Sequence, residues 1–174
     1  MVKPEKTIIG RVATATFPSE GSGRVPVKID TGADSSSIWA SQITIDENGV
    51  LRFVLFDRQS PYYTGTMHVA KHYDARLVRS SNGLAQVRYS VKLTIVLAGR
   101  TVRGTFTLAD RSANTYPVLI GCRLLKNKFL VDVSRGKVVV SARASVGLQA
   151  ELQQDPRGFY EKYHLNNQRG DIEL

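Results

Sequence analysis

The residues best suited to chemistry are Asp30, Thr31 and Gly32, which follow an alternating apolar run. The segment Val25–Ile29 is apolar at every second position, which predicts a half-buried strand that delivers Asp30 at its end. A carboxylate in such a position can take up or release a proton during a reaction. Gly32 permits a tight turn close to another backbone, and the Thr31 hydroxyl can hydrogen-bond to the surroundings of the acid. The sequence therefore predicts a candidate acid–base residue at a strand end.

A second notable stretch follows about ninety residues later, where an apolar run meets Gly121 and then a helix-like segment within Tyr116–Leu125. Retropepsin-type peptidases carry an apolar-apolar-Gly turn of this kind beside an Asp-Thr-Gly loop. On these residues the chain resembles the retropepsin-like aspartic peptidases, and most of all the bacterial RimB family, also labelled ATP-dependent zinc protease or RimK/LysX-associated. The resemblance runs from about Ile8 to Ser134 and includes Val78–Gly83, Arg88 and Thr107–Arg111.

The resemblance implies that Asp30, Thr31 and Gly32 form a catalytic loop in an aspartic endopeptidase. Two carboxylates about 3 Å apart cannot both ionise near neutral pH, so they share a proton. One of them then activates a water while the other protonates the scissile carbonyl, without a covalent intermediate. The chain has one Asp-Thr-Gly and about half the length of a two-lobed peptidase. The pair would therefore consist of Asp30 from each of two subunits, which predicts a homodimer.

The resemblance also implies a flap, a glycine-tipped hairpin that closes over substrate. Asn82 and Gly83 tolerate positive φ, which suits a moving turn, although an ordinary surface hairpin is the alternative. The role of Asp34 is open between a contact with the substrate backbone and a pair with Arg123. The substrate-binding residues implied in this way are Ala33, Asp34, Arg79, Ser80, Ser81, Asn82, Gly83 and Arg88.

The chain carries 24 basic and 15 acidic side chains, a net charge of +9. The excess lies in the first 143 residues, and six basic residues but no acidic one fall between Ala75 and Ala109. RimB-like peptidases are linked to removing glutamate tails that ligases add to a ribosomal protein. Because arginine binds carboxylates through two parallel hydrogen bonds, Arg79 and Arg88 are the candidates for reading an acidic or glutamate-tailed protein substrate. Solvation of the outer face of a sheet is the alternative for each basic residue.

Short strands and turns fill most of the chain, which predicts an all-β fold, a retropepsin-like barrel with one lobe per chain. Residues 1–143 are expected to form the peptidase domain, and residues 144–174 a short peripheral tail with at most one helical turn. The predicted strands and hairpins are Thr7–Phe17, Val25–Asp30, Gln42–Asp57, Val69–Val78, Ala85–Leu97, Thr101–Leu108 and a last hairpin of Phe129–Val133 with Lys137–Val140.

Composition limits the remaining possibilities. The single cysteine, Cys122, excludes an intramolecular disulfide, and Met1–Thr7 lacks the apolar core of a signal peptide. No stretch is apolar enough to suggest a membrane span, so a cytoplasmic protein is expected. His68 and His72 with Asp74 could suggest zinc, but strands place residues four apart too far from each other to chelate, so no metal is predicted. No phosphate-binding loop is present, and no cofactor is expected.

Two non-catalytic interpretations remain open. The positive charge would also suit a basic β-barrel that binds RNA or an acidic protein, although aromatic residues interleaved with basic ones are sparse and nucleic acid is not the expected partner. A dimeric retropepsin-fold adaptor with an unproductive pair of carboxylates is the other alternative. The substitution Asp30→Asn separates these interpretations, because it should abolish hydrolysis and leave simple binding intact.

Overall fold

The computed structural model describes residues 5–79, 85–136 and 142–165. The chain divides into two compact units, Met1–Val138 and Val139–Leu174. The first unit is built almost entirely of strands, so the all-β prediction is confirmed. Within the described residues, no helix has the length and apolar character needed to cross a membrane.

Eleven strands and one short helix make up the described part of the first unit. In chain order they are β1 (Thr7–Ile9), β2 (Val12–Thr16), β3 (Val25–Ile29), β4 (Ser36–Ile45), β5 (Leu51–Leu55), β6 (Met67–Ala70), β7 (Asp74–Arg79), β8 (Ala85–Leu97), β9 (Arg100–Ala109), β10 (Val118–Ile120), α1 (Cys122–Leu125) and β11 (Phe129–Val131).

Six strands close into a barrel in the order β10-β3-β2-β8-β9-β4, and the ring returns to β10. The closing strand, β10, runs parallel to β3 on one side and antiparallel to β4 on the other. A closed ring leaves no free sheet edge, so the backbone groups of these short strands are paired within the chain. The barrel therefore depends on a three-residue strand that lies next to the end of β3.

Three further strands extend this ring. The strand β5 pairs with β4, and β6 pairs with β5, so one wall of the barrel continues outward as an antiparallel sheet. The strand β7 pairs antiparallel with the first half of β8. Apart from this nine-stranded system, β1 and β11 form a small parallel sheet. Arg100 fastens that sheet to the barrel, since its Nη1 donates to the carbonyls of Glu5 and Lys128.

Alternation along the strands fills the barrel with apolar side chains. In β3 the residues Val25, Val27 and Ile29 are buried while the residues between them are half-buried, as the sequence pattern predicts. Phe17 and Phe56 meet edge to face inside, with ring centroids 6.1 Å apart. The core therefore supports β3 over its whole length, because every inward residue of this strand belongs to the apolar cluster.

The sequence predicted most strands, but it missed two breaks within them. The predicted strand Thr7–Phe17 is two strands, because Gly10 lies against the Arg135 backbone and the chain turns there. The predicted strand Val69–Val78 is likewise two strands with different partners, β5 for β6 and β8 for β7. The first arm of the predicted last hairpin is a strand, Phe129–Val131, which pairs in parallel with β1, while the second arm, Lys137–Val140, lies outside the described residues.

The second unit contains more helix than the sequence suggested. Helix α2 (Ala142–Gln154) is followed by α3 (Pro156–Tyr160) and a π-helical turn, Glu161–Leu165. The expectation of at most one helical turn is wrong, because α2 is rich in alanine, leucine and glutamine, which favour helix even without a clear apolar face. Within this unit the Glu151 carboxylate accepts hydrogen bonds from Lys162 Nζ at 2.6 Å and from the Tyr163 hydroxyl at 2.9 Å. These contacts lower the pKa of Glu151.

A buried ion pair lies at the outer sheet of the first unit. The Glu20 side chain is fully buried, and its carboxylate contacts His68 Nε2 and accepts a hydrogen bond from the Thr64 hydroxyl. The His68 ring also stacks on Phe53, with centroids 5.1 Å apart. A buried carboxylate without partners is strongly unfavourable, so this pair fixes the loop between β5 and β6 to the turn that follows β2.

We therefore expect His68→Phe to destabilise the first unit by about 3 kcal/mol. The phenyl ring can still stack on Phe53, so the loss of stability measures the missing contact between residue 68 and the Glu20 carboxylate. Urea unfolding followed by circular dichroism measures it. His72→Ala, an exposed histidine four residues away, is the control and should leave the unfolding midpoint unchanged. Equal losses for both variants would contradict the assignment.

Candidate active site

Asp30 lies where the sequence predicts it, directly after β3. Its backbone N–H donates to the Ile120 carbonyl at 2.9 Å, so the strand end is fixed to β10. The Gly32 N–H donates to Asp30 Oδ1 at 3.0 Å, and the Ala33 N–H donates to the Asp30 carbonyl at 3.4 Å. This local turn orients the carboxylate, because one of its oxygens is held by the backbone two residues on. Among the described residues, no hydrogen bond involves the other oxygen, Oδ2.

The loop after Asp30 is open to solvent in the single chain. Thr31 and Gly32 are exposed, while Asp30 and Ala33 are half-buried. The Thr31 carbonyl accepts a hydrogen bond from Cys122 Sγ at 3.0 Å, so the loop is supported from below by the start of α1. The structure thus places the three predicted catalytic residues and Ala33 in one loop, which begins with Asp30.

Gly121 allows β10 and α1 to approach this loop. A Cβ at this position would lie 2.6 Å from the Ser35 carbonyl carbon and oxygen and 2.7 Å from the Ala33 oxygen. The Gly121 N–H donates to the buried Ser36 hydroxyl at 3.1 Å, and the next N–H, of Cys122, donates to the Ala33 carbonyl at 2.7 Å. Only glycine fits so close to another backbone. The two stretches singled out in the sequence therefore pack directly against each other.

Asp34 contacts Arg123 in the folded chain. The Arg123 N–H donates to the Asp34 carbonyl at 3.1 Å, and the two side chains form an ion pair at 3.9 Å. The Asp34 and Arg123 side chains are 84% and 64% exposed, so the pair contributes little to stability. The Asp34 carboxylate therefore remains accessible at the edge of the loop.

The hairpin of β7 and β8 carries the predicted basic residues on two different faces. Arg88 is directly opposite Arg76 in the register, whereas Arg79 is opposite Ala85. Because successive side chains of a strand point to opposite faces, Arg79 and Arg88 lie on opposite faces of this hairpin. The structure does not bring these two predicted substrate-binding residues together. The predicted flap tip, Ser80, Ser81, Asn82 and Gly83, lies outside the described residues.

Arg111 is a functional candidate to which the sequence patterns assign no role. It follows the end of β9, its side chain is half-buried, and its Nε donates to the Tyr116 carbonyl at 3.1 Å. The pKa of Arg111 is lowered, chiefly by burial and then by the positive charge of Arg88, while the Asp30 carboxylate acts in the opposite direction. Arg88, Arg111 and Asp30 are therefore electrostatic neighbours. The only sequence signal was its place in the Thr107–Arg111 stretch.

Arg88 also lines an open pocket of about 660 Å³. It is bounded by Trp39 and Gln42 of β4, by Arg88 of β8 and by Asp110, which follows β9. The register explains this arrangement, because Trp39 of β4 pairs with Ala109 at the end of β9. The pocket combines apolar walls with side chains that can hydrogen-bond, as binding sites for small groups usually do.

The two histidines considered as zinc ligands are engaged differently. His68 is paired with Glu20, and His72 is exposed. In the part of the chain that the structure describes, no group of three histidine, cysteine or acidic side chains is arranged to hold a metal ion.

Comparison with known protein families also points to a retropepsin-like aspartic endopeptidase. The RimB-like family, described as the retropepsin-like aspartic endopeptidase RimB, matches residues 8–141. The chain belongs to this family. The matched region contains every strand of the barrel, the Asp30 loop and the Gly121 turn, so the predicted family is confirmed.

The curated relatives are much longer proteins, and they are named as ligases rather than as peptidases. The chain is 31% identical over 132 residues to proteins of Shewanella pealeana and Shewanella halifaxensis named probable alpha-L-glutamate ligase. A Parasynechococcus marenigrum protein of the same name is 25% identical over 130 residues. These matches cover about three quarters of this chain, 74% for the Shewanella proteins, but only 29% of those two relatives.

A solved structure has the same fold. The crystal structure of a Legionella pneumophila protein of unknown function superposes with a TM-score of 0.55 at 25% sequence identity. The similarity covers 75% of this chain and 96% of the Legionella chain. That protein therefore consists almost entirely of the region shared with the RimB-like chain.

The contact at Gly121 gives a direct test of how the site is held. We expect Gly121→Ala to destabilise the first unit by at least about 2 kcal/mol, because the added methyl group would overlap backbone atoms that cannot move aside. Thermal unfolding measures this loss. Gly32→Ala is the matched control in the same site, since its Cβ would meet only Asp30 Oδ1 at 3.4 Å. A Gly121→Ala protein as stable as Gly32→Ala would disprove the close approach.

Proposed function

We propose that the chain acts as a homodimeric aspartic endopeptidase whose water is activated by Asp30 from each subunit. The observation that carries the proposal is the Asp30 loop, which is held by β10 and by the glycine contact at Gly121. Membership of a family of retropepsin-like aspartic endopeptidases supports a protease role. The chain contributes a single Asp-Thr-Gly, so a pair of carboxylates requires a second copy.

The reaction proposed for this pair needs no cofactor. One Asp30 carboxylate removes a proton from a water held between the subunits, and the water attacks the carbonyl carbon of the peptide bond. The protonated partner gives its proton to the carbonyl oxygen. On collapse of the tetrahedral intermediate, the first carboxyl gives the proton taken from water to the leaving nitrogen, the second regains a proton from a hydroxyl of the intermediate, and the amine is released. The two carboxylates titrate as one coupled system, so neither has an individual role before substrate arrives.

The surface near the Asp30 loop supports dimerisation. Ile8 of β1 and Leu130 of β11 are cross-strand partners, and each is about half exposed. This small sheet leads into the catalytic strand, because the Arg11 carbonyl after β1 accepts a hydrogen bond from the Ile29 N–H at 2.9 Å. Adjacent apolar side chains next to half of an active site suit contact with a second copy.

We further propose that the substrates are acidic proteins, including proteins that carry glutamate tails. The relatives from Shewanella are named for a ligase that uses glutamate, and they contain a region similar to this chain. A hydrolase acting on bonds that such a ligase forms would bind glutamate next to its scissile bond. The basic hairpin near Asp30 supports this, because Arg88 can meet a substrate carboxylate. A cytoplasmic location is part of the proposal.

Cleavage of defined substrates by wild type and Asp30→Asn tests the proposal. We expect wild type to shorten a protein bearing a C-terminal oligoglutamate tail and Asp30→Asn to lose at least about a thousandfold in rate, because the amide cannot act as a base. Mass spectrometry of the products, together with an unbiased peptide library, measures both activity and preference.

Glu47→Gln is the control, a neutralised carboxylate in the exposed turn between β4 and β5, and it should retain hydrolysis. Cleavage of the library without glutamate preference would keep the peptidase and remove the acidic substrate. Binding of acidic protein without any hydrolysis by wild type would favour the alternative, a non-catalytic basic barrel that binds an acidic protein or RNA.

Mixing subunits tests the shared site. When an equal amount of Asp30→Asn protein exchanges with a fixed amount of wild type, about half of the activity should remain, because half of the wild-type subunits enter mixed dimers. The rate of peptide cleavage before and after exchange measures this, and the sample before exchange is the control. Unchanged activity after complete exchange would show that one Asp30 suffices.

A further inference from the structure

Arg88 lies in an unusual electrostatic environment on the β7–β8 hairpin. It is directly opposite Arg76 in the antiparallel register, where cross-strand neighbours of like charge destabilise a sheet. The Arg76 Nε donates to the Ser90 hydroxyl, and its only ion pair among the described residues is a 4.0 Å contact with the exposed Asp74. The face of the hairpin that carries Arg88 is therefore positively charged with little internal compensation.

Arg88 and Arg111 each use one donor on a neutral acceptor. The Arg88 Nε donates to Gln86 Oε1 at 2.9 Å, and the Arg111 Nε donates to the Tyr116 carbonyl at 3.1 Å. Within the described ranges, neither guanidinium forms an ion pair within 4.0 Å. Each hydrogen bond orients the Nε edge of the planar guanidinium group and leaves its Nη groups available to donate to another acceptor. Two arginines fixed in this way are suited to bind one anion.

Among the described residues, the acidic side chains nearby form no ion pair with either arginine. Asp110 and Asp57 line the same pocket as Arg88, but their carboxylates accept hydrogen bonds from the backbone N–H groups of Ser112 and Gln59. The pKa of Asp110 is lowered by the bonds from Ser112, so this residue stays ionised. The Asp30 carboxylate, the proposed catalytic group, acts on Arg111 in the direction that raises the Arg111 pKa.

We propose that Arg88 and Arg111 form a subsite that binds a carboxylate of the substrate next to the scissile bond. The inference rests on the proposed function and adds the residues that select a glutamate at one position. Arg111 supplies a half-buried guanidinium just after the end of β9, and Arg88 supplies a second from β8, two residues before Ser90, which pairs with Thr107 near the same end of β9. A carboxylate held by both would relieve the repulsion between them and could accept paired hydrogen bonds from either.

Binding to the Asp30→Asn protein tests this subsite without turnover. The probes are fluorescently labelled peptides of four glutamates or four glutamines, each with a free or an amidated C-terminus, followed by anisotropy. We expect Arg88→Gln and Arg111→Gln each to weaken binding of the glutamate peptide about tenfold or more and to leave the glutamine peptide unaffected.

Arg103→Gln is the matched control. It removes the same charge from an exposed site on β9, roughly 20 Å along the strand from Ala109, and should change binding less than about twofold. Equal losses for Arg103→Gln and Arg88→Gln would overturn the subsite in favour of general attraction to a basic protein. Arg79→Gln, on the opposite face of the hairpin, reports whether the outer face contributes as well.

Arg111→Gln also removes the hydrogen bond to the Tyr116 carbonyl, and the variant could unfold for that reason. In that case the test depends on Arg88→Gln and on the comparison of glutamate with glutamine peptides. A loss that depends on the free C-terminus identifies the bound group as the terminal carboxylate, and a loss that persists with the amide identifies a side chain.

Failure of the proposed function is distinguishable from failure of the subsite. If wild type hydrolyses nothing but Arg88→Gln still loses glutamate-dependent binding, the peptidase proposal fails and the subsite stands. If wild type cleaves neutral and acidic peptides equally and Arg88→Gln has no effect on either, the subsite fails and the peptidase stands.

Discussion

The insertion of β10 between β3 and β4 is the constraint on which the rest of the structure depends. This strand has three residues, yet it closes the six-stranded ring and also holds the Asp30 backbone through Ile120. The approach is possible because Gly121 has no side chain where Ser35 and Ala33 pass. Barrel closure and the position of the Asp30 carboxylate therefore both depend on β10 and Gly121. A change that separates β10 from the loop would loosen the fold and the site together.

The pairing of β8 with two different strands explains how Arg88 and Arg111 are positioned. The strand β8 pairs with β7 over its first half and with β9 over its second half, so it leads from the projecting hairpin into the ring. Arg88 lies on the hairpin part and Arg111 follows the end of β9, so the antiparallel pairing of two consecutive strands brings their positive charges toward the same end of β9. Like charges held this close reduce stability unless an anion binds between them.

Local patterns in the sequence predicted the elements whose structure depends on neighbouring residues. The alternation of apolar residues predicted β3 with Asp30 at its end. The predicted strand Ala85–Leu97 has the bounds observed for β8. The register that separates Arg79 from Arg88, the role of Arg111 and the break between β6 and β7 depend on partners far along the chain. Such pairings leave no periodic signal. Helix α2 was missed for a different reason, because it follows residue propensity without an apolar stripe to reveal it.

The exposure of the Asp30 loop gives a physical argument for a site shared by two chains. A carboxylate acts as a strong base toward a bound water only where bulk solvent is excluded and charges interact in a medium of low dielectric constant. In one chain Thr31 and Gly32 are exposed, and Asp34 is 84% exposed. These residues cannot exclude water by themselves. A second loop packed against the first would cover them and supply the second carboxylate, so the same contact would complete both the chemistry and its environment.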